Sequence, residues 1–363
     1  MVCDGVIKVY DNINMVHKPT GDDDEMLEAI IHKYFPHWDG IIKKGASGWN
    51  NTTYFIEDGS TRYVLRIYAH SDLDKIEFEH TTLESLQRYE LHFRVPVPAR
   101  TITGESIVQV EDGSGRFACL FTYIEGLRPE DGDARAAYSF GESAGELITV
   151  LSDISPDLPP VYRPYYELQQ SYPACSHEVV KDFYENPPEA LCDLQESLHV
   201  LGRAYIDICG RLDGLEQLPQ QLIHGDLNFS NLLVHKNHPQ LIAALLDFEF
   251  CTRDVRAMEP AVIISGLLEQ EGARDAVHQF CKGFGSKVQL TSEEISAIPV
   301  LMTLRKVDVF LHFMTRYLNG IDAPDVLRQQ TQSLAADLHR LANDILWIEE
   351  ILRNEFEILV KKL

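Results

Sequence analysis

The chain has 363 residues, 45% of them hydrophobic and 24% charged, which is long enough for two domains or one large bilobal fold and ordinary for an ordered globular protein. Its formal net charge is −24, from 56 acidic against 32 basic residues, a field that repels nucleic acid and anionic membranes and argues against both as partners. Seven scattered cysteines without a C-x-x-C pair, no basic-then-apolar N-terminal segment and no apolar run of membrane-spanning length place the expected location in the cytoplasm.

Residues 1–20 carry little periodicity and give no readable element. Four acidic residues at 22–25 then precede Met26, Leu27, Ile30, Ile31 and Tyr34, an acidic first turn and helical spacing that Pro36 ends. From Ile41 the period changes. Residues 54–56 and 62–68 read as antiparallel strands around the turn Glu57-Asp58-Gly59-Ser60, a helix follows over 71–88, and further strands are expected at 106–110 and 116–124. Beyond Glu125-Gly126 the character is mostly helical. Helices are expected at 137–151, 176–185, 188–213, 257–270, 272–284, 291–319 and 323–361, with a Pro- and Tyr-rich connection over 157–173. A hairpin over 232–246 interrupts that helical run.

The ends of this hairpin carry the most informative residues. Asp226 lies in Leu222-Ile223-His224-Gly225-Asp226, Asn231 follows five residues later, and Asp247 stands sixteen beyond that in Leu246-Asp247-Phe248-Glu249. Three oxygen-bearing side chains on one loop and one strand end suit a nucleotide's magnesium ions and a hydroxyl nucleophile. In this reading Asp226 orients the hydroxyl and takes its proton late, while Asn231 and Asp247 hold metal. A turn in which Asp226 and Asn231 only cap backbone groups is the plainer alternative, and the joint occurrence with Asp247 between apolar strands argues against it.

His224–Asn231 together with Leu246–Glu249 resembles the aminoglycoside phosphotransferase and choline kinase superfamily, most nearly its homoserine-kinase-type-II-like branch. Residues 45–53, 63–67, the helix around Glu79, 95–98 and 123–126 fall in that family's order, a fold-level analogy spanning roughly residues 40–260. The resemblance implies an α+β, protein-kinase-like bilobal fold: a small antiparallel-sheet lobe with one helix over 1–124 for nucleotide, and a larger, mainly helical lobe over 125–363 carrying the catalytic loop and acceptor site. It also implies ATP and Mg2+ as cofactors. Gly225 in place of an arginine, Asp-Phe-Glu in place of Asp-Phe-Gly, and the absence of Ala-Pro-Glu favour a small-molecule acceptor over a peptide. A catalytically inactive nucleotide-binding module and a stress-response-type protein Ser/Thr kinase are the competing expectations.

Further site residues follow from these positions. Ser47, Asn50 and Asn51 lie in a Gly-Ala-Ser-Gly segment that either covers the phosphates or is an ordinary hairpin loop. Arg66 stands where the family carries a basic residue; it is expected to bind phosphates and pair with Glu79, with Glu77 and Glu84 as other candidates. Backbone groups around Tyr123 and Ile124 are expected at the adenine edge. Asp254, Arg256 and Glu259 either line the acceptor pocket, suiting an amine-bearing substrate, or serve as a helix cap and an internal Arg256–Glu259 pair. His224 is read as structural, and Tyr162, Tyr165 and Tyr166 as either pocket wall or packing. Oligomeric state has no sequence signature here.

Overall fold

The computed structural model describes residues 22–47, 51–129 and 134–356, without the side chains of 22–24, 46, 47 and 134. Helix α1 (Asp22–Tyr34) precedes a sheet of β1 (Ile41–Ser47), β2 (Asn51–Asp58), β3 (Thr61–Tyr68), β4 (Val108–Gln109) and β5 (Phe117–Thr122), with α2 (Leu73–Leu86) inserted after β3. The strand order is β1-β2-β3-β5-β4, with antiparallel pairing throughout.

Period-two alternation gives this sheet two different faces. Leu65 and Ile67 of β3, with Ala118 and Leu120 of β5, pack under α1 beside Leu27, Ile30 and Ile31. Tyr68, Cys119 and Phe121 face the other way and join the large core that includes Ile76 and Leu83 of α2. Arg66, between Leu65 and Ile67, therefore projects to the face where α2 and the second lobe meet. A one-residue slip of β3 would turn Arg66 under α1.

The second lobe holds α3 (Ala137–Leu151), α4 (Leu168–Ser171), α5 (His177–Glu185), α6 (Gln195–Cys209), α7 (Leu212–Glu216) and β6 (Gln220–Ile223). It continues through β7 (Leu232–His235), β8 (His238–Leu245), β9 (Thr252–Val255), α8 (Met258–Leu267), α9 (Ala273–Gly285), α10 (Ser292–Leu318) and α11 (Pro324–Phe356). Strands β7 and β8 form the expected hairpin, and β6 pairs antiparallel with β9. The link between lobes is tied to the hairpin by Leu127 and Val234, which exchange backbone hydrogen bonds of 2.9 and 2.7 Å.

Several expectations shift. The helix expected over 188–213 is a 3-10 segment (Glu189–Leu194), α6 and α7; Pro187-Pro188 starts it irregularly and Gly210 ends α6. The strand expected over 106–110 shrinks to β4. Segment 45–53 is less of a loop than expected, since β1 runs to Ser47, β2 begins at Asn51, and Ser47 pairs with Thr52. Asn50, the Ser47 side chain, residues 1–20 and the end of the last helix beyond Phe356 lie outside the described residues. The strands β6 and β9 were not anticipated, because the charges of Thr252-Arg253-Asp254-Val255 hide a four-residue strand.

Candidate active site

Strand β6 delivers the chain into the loop His224–Asn231, and β8 delivers Asp247, so two short antiparallel pairs position the chemistry. At the start of the loop Gly225 adopts φ +82°, and a Cβ there would lie 2.9 Å from the Phe250 carbonyl oxygen. Only glycine combines that conformation with so close an approach. The His224 ring is fully buried, and its Nε2 lies 3.0 Å from the Leu246 carbonyl oxygen. Burial pushes its pKa down to about 4, so it is a neutral strut between loop and strand end, as the sequence suggested.

Within the loop, Asn231 Nδ2 donates to the Asp226 carbonyl oxygen at 2.9 Å, and Asn228 Nδ2 donates to the same oxygen at 3.1 Å. The Leu246 amide donates to the Asn231 carbonyl oxygen at 2.7 Å. The turn-capping reading and the metal reading are thus compatible: the amide nitrogen of Asn231 braces the loop, and its Oδ1 is the other end of the group. Asp247 has φ 66°, the one non-glycine in the left-handed region among the described residues, a conformation that costs about 1–3 kcal/mol and gathers at functional sites. Its Oδ1 is buried, accepts no hydrogen bond, and lies 3.4 Å from Arg66 Nη2. An orphaned anionic oxygen beside a neutral amide oxygen is a hard-donor set that fits a divalent cation. Among the described residues no group of three His, Cys, Asp or Glu could hold a metal, so phosphate oxygens and water would have to complete such a shell.

Arg66 resolves its open pairing in favour of Glu79, with Nη1–Oε1 at 3.0 Å. The Tyr68 hydroxyl donates to the other Glu79 oxygen at 2.9 Å, and the guanidinium carbon sits 5.3 Å from the Phe121 ring centre. Flanked by Glu79 and Asp247, Arg66 is held as a cation even though burial opposes its charge. Asn51 Nδ2 donates to Glu249 Oε2 at 2.6 Å, so the residue that replaces glycine in Asp-Phe-Glu joins the two lobes. The Tyr123 amide is committed to the Arg62 carbonyl oxygen at 3.1 Å, which corrects its expected place as an adenine donor. Ile124 packs with Leu233, Ala243 and Ala244 in a small apolar cluster.

The three residues expected at the acceptor prove to be supports. Asp254 is 1% exposed and accepts from the Tyr165 amide at 2.6 Å and its neighbour Val255 at 2.6 Å. It lies on β9, so it cannot cap α8. Arg256 forms a two-pronged pair with Glu294, at 2.6 and 2.7 Å, and not with Glu259. Glu259, 1% exposed, accepts from the backbone amides of His224 and Gly225 at 2.6 and 3.3 Å and so anchors the catalytic loop from below.

Two contacts had no sequence forecast. Arg305 of α10 donates through Nη2 to Asp226 Oδ1 at 2.5 Å and through Nη1 to the Tyr165 hydroxyl at 2.8 Å. The Tyr165 hydroxyl in turn donates to the Gly225 carbonyl oxygen at 2.9 Å. A signal existed: Arg305, Asp308 and His312 form a polar stripe at helical spacing on a helix whose other faces are buried and apolar. Burial pushes the Asp226 carboxyl up to about 6; Arg305 opposes this, and Asp247 and Asp308 add to it. A proton acceptor poised near neutrality is what general base chemistry needs.

Residues 41–293 match the model of the phosphotransferase enzyme family. The chain belongs to that family. It is an ATP-dependent kinase that phosphorylates a hydroxyl of a small molecule. A homoserine kinase of Beijerinckia indica subsp. indica is 24% identical over 275 residues, 72% of this chain and 76% of that one, in line with the branch its motifs resemble. Among solved structures, a microcompartment-associated aminopropanol kinase superposes with a TM-score of 0.66 at 18% identity, covering 89% of this chain and 99% of that one. The amicoumacin kinase hAmiN, in complex with AMP-PNP, Ca2+ and Ami, gives 0.63 at 15% identity, covering 89% and 94%. Those structural likenesses establish the protein-kinase-like fold. Among the described residues no helix is long and apolar enough to cross a membrane.

The buried carboxyls give this phosphotransferase a measurable pH signature. Burial pushes Asp254 and Glu259 each up to about 7, so between the ordinary carboxylate range and pH 7 the folded chain holds protons that the unfolded chain has released. Stability conferred by those protons is present at low pH and is lost as pH rises through that window. Urea unfolding of the ligand-free protein at about pH 5 and about pH 7.5 should show the decline, and Glu259→Gln should reduce it by roughly 1–3 kcal/mol. An identical slope in the variant would contradict this account of Glu259.

Proposed function

We propose that this enzyme uses ATP and Mg2+ to phosphorylate the hydroxyl of an amine-bearing small molecule, an amino alcohol or a homoserine-like hydroxy amino acid. The observation that carries the reading is the convergence of Asp226, Asn231, Asp247 and Arg66 from a loop, a strand end and a facing sheet, linked by contacts between 2.9 and 3.4 Å. The amine is supported by the negative surroundings of Asp226, which include Asp247 and Asp308, and by relatives named for homoserine and aminopropanol. We place the lobe boundary after residue 124, with the nucleotide between the lobes, its base edge on the backbone of Ile124 and its base face on the small cluster around Leu233. The cytoplasm is the proposed location, supported by six described cysteines that are all free thiols.

In this mechanism Asp226 accepts a hydrogen bond from the acceptor hydroxyl and aligns its oxygen with the γ-phosphorus. As the new oxygen–phosphorus bond forms and the bond to the β–γ bridging oxygen breaks, the hydroxyl proton passes to an Asp226 carboxylate oxygen, and ADP departs. Arg66, fixed by Glu79, supplies positive charge to the phosphates. Asn231 Oδ1 and Asp247 Oδ1 would hold the cation, whose contribution when bound is to neutralise charge on the phosphates.

An ATP-consumption screen of the purified protein against hydroxylated amines, amino acids and sugars tests the proposal. Turnover above background is expected with an amine-bearing alcohol and should vanish on metal chelation. Preferential phosphorylation of peptides, or tight nucleotide binding with no transfer to any acceptor, would overturn it.

A further inference from the structure

Arg305 and Asp308 stand one turn apart on α10, their side chains 3.6 Å apart and 19% and 15% exposed. Each is fixed by a tyrosine from the 157–173 connection. Tyr165 accepts from Arg305 Nη1, and the Tyr172 hydroxyl donates to Asp308 Oδ1 at 2.8 Å. The face of Arg305 also lies 5.7 Å from the Tyr165 ring centre. Asp254, by accepting from the Tyr165 amide, holds that ring in place. The result is a cation and an anion set side by side against the carboxylate that takes the hydroxyl proton.

We infer that Arg305 and Asp308 form the recognition pair for the acceptor's own charges, Arg305 receiving a carboxylate and Asp308 an ammonium, so that the substrate class is the hydroxy α-amino acid. This rests on the reading that the acceptor hydroxyl meets Asp226. Carboxylates alone would serve an amino alcohol. They would repel an acceptor carboxylate by several kcal/mol at contact distance even in a screened setting, and the guanidinium removes that repulsion. Its planar array of five N–H donors can hold several oxygens at once, and Asp226 Oδ1 already lies 2.5 Å from Nη2. An acceptor oxygen on the same guanidinium is therefore close to the oxygen that receives the proton, which calls for a short carbon chain between hydroxyl and carboxylate. The i,i+3 spacing on a rigid helix matches the small separation of the two charges on one α-carbon.

The test is a matched pair of acceptors, homoserine and 3-aminopropan-1-ol, which differ only by the carboxylate. For the wild type the ratio of kcat/KM for homoserine to that for aminopropanol is expected to be large. Arg305→Gln should reduce that ratio about 30-fold, the scale of one charge-assisted contact, and Arg305→Lys should restore part of it, whatever either does to the absolute rates. Asp308→Asn should raise KM for both acceptors together and leave the ratio near its wild-type value. Thermal unfolding of each variant confirms that it is folded. An unchanged ratio in folded Arg305→Gln, or a wild type that prefers aminopropanol, overturns the inference and leaves the proposed function standing. A wild type inert towards every hydroxyl acceptor overturns both.

Discussion

Asp226→Asn is expected to lower kcat by about 10²–10⁴ while nucleotide affinity stays within about threefold of the wild type. Asparagine keeps an oxygen for Arg305 Nη2, which contacts Oδ1 in the native site. The loop brace is untouched, because Asn231 Nδ2 and Asn228 Nδ2 bond the residue's main-chain carbonyl. What the change removes is the ability to accept a proton as the oxygen–phosphorus bond forms. Single-turnover transfer and direct nucleotide titration separate the two quantities, and a variant with full activity would remove Asp226 from the mechanism. Alanine is the less informative substitution, since it leaves the Arg305 cation without that partner and adds a structural loss to a chemical one.

Asp247→Asn is expected to abolish the metal dependence of nucleotide binding, with affinity in the presence of Mg2+ falling about 100-fold, towards the metal-free value, as expected of a lost carboxylate–cation contact. Asparagine is the substitution of choice because it tolerates the left-handed backbone at φ 66° about as well as aspartate. Thermal stability without ligand should therefore change by only a few degrees. The orphaned Oδ1, 3.4 Å from Arg66 Nη2, carries this prediction: the carboxylate contributes little to the empty fold and much to a cation. Isothermal titration with and without Mg2+ decides it, and equal affinities for wild type and variant in the presence of metal would refute the assignment.

These two residues were legible in the sequence because Asp226, Asn231 and Asp247 lie within one short stretch, where spacing alone constrains geometry. Arg66 was legible for a related reason: the alternation of β3 sets its face, and α2 follows directly, so Glu79 was already among the candidates. The strand–helix order of the first lobe followed from hydrophobic period and turn residues, which are local properties.

The acceptor side was not legible in that way. Asp254, Arg256 and Glu259 have the charges of a binding site, but β9 and α8 bury two of them and Glu294 occupies the third, because a charge near a motif can face the loop's underside as easily as its mouth. Arg305 reaches Asp226 across 79 residues of chain, a distance over which no periodicity carries information. The sequence by itself determined the chemistry, since phosphoryl transfer needs a few oxygen ligands at close spacing. Only the packing of α10 and the tyrosine-bearing connection against the catalytic loop decided which charges face the acceptor, because burial and pairing are long-range outcomes of the whole fold.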